Sequence, residues 1–174
     1  ESESRGLGDV YKRQGMGHQC LFKQEDCLPP SLKEAINVFL INIATRYLRK
    51  KHNEHNSMLI HVSRFKGVQG SVVLQVKKYL KDLKDKTCYG QDQEIKNVIK
   101  KEFHNIWDND TKKNFDLDKF PQTGEIEFKS LWDKIMEVIT SETNPLDVVQ
   151  INSQSDDILD YDRHENGWNV IVVG

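Results

Sequence analysis

Four groups of residues in this 174-residue chain have the types and spacing to do chemistry. The first is acidic. The segment EIEFK sets Glu125 and Glu127 two residues apart, with Lys129 two further on and Asp116 and Asp118 upstream. A metal-dependent nuclease needs carboxylates that hold a divalent cation, usually with a lysine beside them. This spacing permits such a site without specifying one, because Glu127 also reads as the opening of a helix. The second group is basic. Residues 46–86 hold eleven Lys or Arg against Glu54, Asp82 and Asp85, a net of +8. Residues 142–165 carry seven acids and only Arg163, a net of −6, so the overall charge of −2 hides a strong segregation. Positive charge gathered on one face attracts phosphates and releases counterions on contact. The third group is histidine. His52 and His55 form HxxH, but no third ligand accompanies them, so no metal site is expected. His61 lies in an apolar run and reads as a packed core histidine. The last group is Cys20, Cys27 and Cys88, whose odd count and irregular spacing suit free thiols in a reducing cytoplasm.

These residues need elements to position them. Hydrophobic residues make up 37% of the chain and charged residues 30%, enough for one domain with a core. No apolar run approaches a membrane span, and no secretory leader is visible, so a membrane partner is not expected. Residues 15–30 read as a linker that ends in Pro29-Pro30. SLKEAINVFLINIATRYLRKK follows, with Ser31 and Glu34 in capping-box spacing and an apolar stripe widened by Val38 and Ile41. Met58–Val62 reads as a strand buried on both faces. RFKGVQG reads as the loop after it, carrying Arg64, Lys66 and Gln69. A second helix is expected from Ser71, through Val72, Val76, Tyr79 and Leu83. Two more are expected over about 91–107 and 127–140, forming a helical insertion at about 91–140. LDVVQIN and WNVIVVG read as two further strands. Strand, glycine-containing loop and helix form the first half of an α/β unit, and the three apolar runs can make a parallel sheet.

In such folds ligands approach the loops that follow the strands, so Arg64, Lys66 and Gln69 are the candidate nucleic-acid contacts. For Lys77 to Lys86 the favoured reading is a solvated helix face. No GxxxxGK[ST] loop is present to cradle nucleotide phosphates.

From Leu28 onward the chain resembles the Z1 domain. The segments that carry the likeness are LPPSLKEAINVFLINIATRYLRKKHNEHNSMLIHVSRFKGVQ, then INSQSDDILDYD and WNVIVVG. The resemblance implies a bacterial or phage-related DNA-processing protein, carrying an endonuclease label and accompanied by superfamily 2 helicase-type ATPase modules. Restriction or repair system subunits would be its partners. It further implies that residues 31–174 are the front part of a RecA-like second helicase lobe: α/β, with an incomplete parallel sheet. ATP and Mg would serve the full-length parent, with no cofactor in this piece, which alone would be inert. A metal-dependent endonuclease domain and a non-catalytic protein-docking lobe are the alternatives. Both chain ends read as truncations. The last strand stops at Gly174, and Asp9–Gln14 back-translates to GAT GTG TAT AAG AGA CAG, which resembles a transposon-end adapter. Residues 1–14 are therefore expected to be an artefactual tail.

Overall fold

The computed structural model describes residues 28–51, 53–62, 66–111, 126–151, 159–164 and 167–174. Residues 1–14, most of the expected linker, Arg64, Glu125, Asp116 and Asp118 lie outside that set.

The first helix, α1, spans Pro30–Leu48. It begins one residue earlier than the Ser31 cap predicts. Pro30 occupies the first helical position, where its missing N–H costs nothing. The Pro29 carbonyl accepts from both Leu32 and Lys33 at 3.0 Å, and no side chain caps the end. Ser31 is thus already inside the first turn, and the capping box is not formed. The widened stripe behaves as expected: Ile36, Leu40, Ile41, Ile43 and Ala44 are all fully buried. At the other end Lys51 N–H bonds to the Arg46 carbonyl and Lys50 N–H to that of Tyr47, both at 2.9 Å. That pair of bonds is a Schellman motif, and it holds Lys50 at φ 59°.

Three strands follow: β1 (Asn56–Ile60), β2 (Leu146–Gln150) and β3 (Asn169–Val173). They form one parallel sheet in the order β1-β3-β2. The parallel α/β expectation holds. β3 lies in the centre and every residue of it is buried, as its uncharged run of β-branched residues requires. β1 differs from the reading as Met58–Val62. It starts two residues earlier, because the Asn56 amide is satisfied inside the sheet by Asn169 (2.9 Å) and can be buried. His61 therefore falls beyond the strand and is exposed, not packed in the core. β1 is also an edge strand with one open face: Ser57 is exposed and Leu59 is 70% exposed.

Alternation along the strands divides the core. Met58, Ile60, Val148, Ile171 and Val173 face the helices, in one cluster with Val76, Phe103, Leu131 and Ile135. Trp168, Val170 and Val172 face the other way and are covered by Val149, Ile151, Leu159 and Tyr161.

The second helix, α2, spans Lys66–Lys84 and continues through a π turn to Tyr89. Lys66, Gly67 and Gln69, expected in a loop, are its first turn. Thr87 Oγ1 donates to the Leu83 carbonyl at 2.7 Å within the π turn, and Gly90 N–H to that of Asp85 at 2.7 Å. A side chain at Gly90 would meet the Lys86 carbonyl oxygen at 2.7 Å, so the exit admits only glycine without a backbone shift. The third helix, α3 (Gln93–Ile106), is capped by Asp92, which accepts from Glu94 N–H (2.9 Å) and Ile95 N–H (3.2 Å). Its stripe is only half used: Phe103 and Ile106 are buried, while Val98 is 62% exposed. The fourth helix, α4 (Phe128–Thr140), buries Leu131, Ile135 and Val138. Both helices of the 91–140 segment share the main core, with Phe103 edge-on to Trp132 at 5.6 Å.

Candidate functional site

The carboxyl ends of the three strands form one edge of the sheet, and α2 starts there. Gln69 is 4% exposed and sits in the first turn of α2. Gln150, the last residue of β2, donates its side-chain amide to the Lys66 carbonyl (3.3 Å) and to Gln69 Oε1 (3.4 Å). These contacts tie the start of α2 to the end of β2. Gln69 is thereby a positioning residue in this structure, turned onto Gln150. The ladder runs on past the strands: Ile151 N–H bonds to the Val173 carbonyl at 3.0 Å, Gly174 N–H to that of Ile60 at 3.1 Å, and Val62 N–H to that of Gly174 at 3.3 Å. Lys66 is exposed at this edge, and the first turn of α2 contains no acid. A helix start of that kind directs backbone N–H groups and a positive partial charge outward, which favours an anion. Arg64 belongs to the connection between β1 and α2, outside the described residues.

Chain direction separates the rest of the basic region from this edge. α1 ends just before β1 begins, so Arg46, Arg49, Lys50 and Lys51 lie at the amino edge of the sheet, roughly 16 Å away along a five-residue strand. Several of these cations are matched locally. Glu54 pairs with Arg46 and with Lys51 (3.5 Å). The hydrogen bond from Arg46, with help from Lys51, holds the Glu54 carboxyl below the usual carboxylate range. Lys78 pairs with Asp82 at 3.3 Å. The +8 of residues 46–86 is therefore divided between opposite ends of the molecule.

The amino edge contains a polar network that the sequence reading missed. Asn56 Nδ2 donates to Asn169 Oδ1 (2.9 Å) and to the Glu54 carbonyl (3.2 Å). Asn169 Nδ2 donates to the Tyr47 hydroxyl (2.8 Å), which also accepts from Asn144 Nδ2 (3.1 Å). Asn56 and Asn169 are register partners, 4% and 1% exposed. Trp168 Nε1 donates to Asp147 Oδ2 at 2.7 Å. The available signal was an asparagine at the head of each of two apolar runs.

Of the nuclease candidates, Glu127 and Lys129 are the two that the structure describes. Glu127 is the exposed N-cap position of α4 and its side chain makes no capping bond, and Lys129 is exposed in the first turn. Glu125 lies outside the described residues. Among the described residues no group of three His, Cys, Asp or Glu is placed to hold a metal ion. Of the HxxH pair, His52 lies outside the described residues, and His55 is exposed, edge-on to Tyr161 at 5.0 Å. No helix among the described residues is long and apolar enough to cross a membrane.

The Z1 domain family model matches residues 31–174, which is most of the chain and includes every strand and helix described but the first residue of α1. The chain belongs to the Z1 domain family. No curated protein and no solved structure matches it. In this Z1 domain, the family match starts at α1 and ends with the residue that extends β3. The parallel sheet, its carboxyl edge and the basic α2 start all lie within it.

Proposed function

We propose that this Z1 domain is the DNA-engaging lobe of a helicase-like, ATP-driven DNA-processing protein, built on a RecA-like plan. One observation carries the reading. The start of α2, free of acids and bearing exposed Lys66, stands at the carboxyl edge of a parallel sheet, directly after the connection that contains Arg64. That is where α/β proteins of this class present loops to ligands, and phosphates are the ligands that such a helix start and two cations suit.

ATP and magnesium do not fit the described residues of this edge. Lys66, Gln69, Gln150, Ile151 and Gly174 include no carboxylate to hold a magnesium ion, and the sequence contains no GxxxxGK[ST] motif. The chemistry of ATP belongs to other segments of the parent protein. The proposed part of this chain is to hold a DNA backbone.

The test is fluorescence anisotropy of labelled single-stranded and duplex DNA across a salt series. Binding should weaken linearly in log salt, and Arg64→Ala and Lys66→Ala should each reduce the slope by about one. Absence of binding at low salt, or binding indifferent to both substitutions, refutes the proposal. The chain alone should neither cut DNA nor hydrolyse ATP. Turnover in a clean preparation would show that its groups are sufficient and would overturn the assignment.

A further inference from the structure

A cleft of about 550 Å³ opens between the start of α1, the late turns of α2 and the flank of α3. It lies apart from the carboxyl edge and has no part in the function proposed above. Its floor is lined by Leu28, Leu83 and Ile99 over the buried Phe103, and Ile99 is the most exposed of them. Its rim is cationic. Lys33 stands 5.9 Å from the centroid of the Tyr79 ring, and Lys86 reaches the cleft from the π turn. Lys78 and Asp82, also at the rim, are matched to each other. Among the described residues, that leaves Lys33 and Lys86 with Glu102 as the remaining carboxylate of the lining.

The Tyr79 wall is fixed and uncharged. Its hydroxyl donates to Asn37 Oδ1 at 2.7 Å, and Asn37 is fully buried. Burial, with a smaller contribution from Glu102, pushes the Tyr79 phenol up to about 12. The ring therefore adds no negative charge at neutral pH. A cavity of this size with an apolar floor and a few polar groups at its mouth is a small-molecule site in form.

We propose that the cleft binds a small organic anion: a carboxylate, phosphate or sulfonate joined to an apolar or aromatic body. The body lies against Ile99 and the edge of Leu83, and the anionic group meets Lys33 and Lys86. Neutral ligands of the same shape gain only the floor. Di- and tricarboxylates without an apolar body gain only the rim.

The probe pair is 8-anilinonaphthalene-1-sulfonate and its uncharged relative N-phenyl-1-naphthylamine, titrated by fluorescence into the whole folded chain. The sulfonate should bind at a single saturable site, more tightly than the neutral probe. Lys33→Glu and Lys86→Glu should each weaken it about tenfold while leaving the neutral probe unchanged. Ile99→Trp, which fills the cleft, should weaken both probes without altering DNA binding. Thermal melting of each variant shows that the fold is kept. Equal affinity for the two probes, sulfonate binding unaffected by the lysine reversals, or no saturable binding to the folded chain overturns the proposal.

Discussion

Replacing Asn169 with alanine tests whether the amino-edge network holds the sheet in register. Asn169 is directly paired with Asn56 on one side and with Leu146 on the other. Its side chain accepts from Asn56 at 2.9 Å and donates to Tyr47 at 2.8 Å. The substitution removes both bonds. It leaves Asn56 with the Glu54 carbonyl and Tyr47 with Asn144 as remaining partners. Each lost bond contributes roughly 0.5–1.5 kcal/mol net, and a buried group left short of partners adds to that, so Asn169→Ala should cost about 2–3 kcal/mol. Tyr47→Phe should cost about 1–2 kcal/mol, because it deprives two amides of their acceptor. The Asn169–Tyr47 bond is common to both changes. The double variant should then be less destabilised than the sum of the singles by about 1 kcal/mol. Urea unfolding followed by circular dichroism measures all four proteins, and an unchanged m-value confirms that the same transition is compared. A coupling within about 0.3 kcal/mol of zero refutes the reasoning: the asparagine would then be a buried spacer, with register set by apolar packing alone.

Two further outcomes follow from single positions. Lys50 holds φ 59° in the Schellman motif that ends α1, a conformation that costs an L-residue with a Cβ on the order of 1 kcal/mol. Lys50→Gly should stabilise the domain by about that amount, and a lower urea midpoint would contradict the motif. Tyr79 has a folded-state pKa of about 12 against an ordinary 10.0. A raised pKa means that the contribution is fully present below pH 10 and is lost as pH rises through about 12. Over that window the wild-type protein should lose on the order of 2 kcal/mol relative to Tyr79→Phe. Parallel stability curves for the two proteins would show that the phenol titrates as it does in water.

The strands and helices were readable because their signals are local. Val170–Val173 is an uncharged β-branched run, and α1 keeps a 3.6-residue period over five turns; both elements sit where those patterns place them. What the pattern missed depends on contacts between distant segments. Asn56 looks like a turn residue until Asn169, more than a hundred positions away, supplies its acceptor. The strand start consequently moved by two residues, and His61 moved out to solvent with it. Lys66 to Gly70 looked like a loop because two glycines interrupt it. The turn is helical because Gln150 reaches back to the Lys66 carbonyl and to Gln69, an interaction invisible to any window of sequence. The candidate site was legible to the same degree. Its place after β1 followed from strand–loop–helix order, whereas the burial of Gln69 did not.

The charge pattern shows how chain order and space part company in a parallel fold. Each helix that returns the chain must carry it from one edge of the sheet back to the other. A basic stretch long enough to span the end of α1, β1 and α2 is therefore delivered to both edges, however contiguous it is in sequence. Arg46 and Lys51 go to the amino edge, where Glu54 meets them; Lys66 goes to the carboxyl edge, where the first turn of α2 offers no acid. Among the described cations of residues 46–86, Lys66 is the one that stands in the first turn of α2. Charge counted over a window thus overstates the local field by including groups roughly 16 Å distant along the strand, beyond the screening length of about 8 Å at physiological salt. The same physics predicts that reversing Arg46 alters stability through Glu54 and leaves the salt slope of DNA binding where it was.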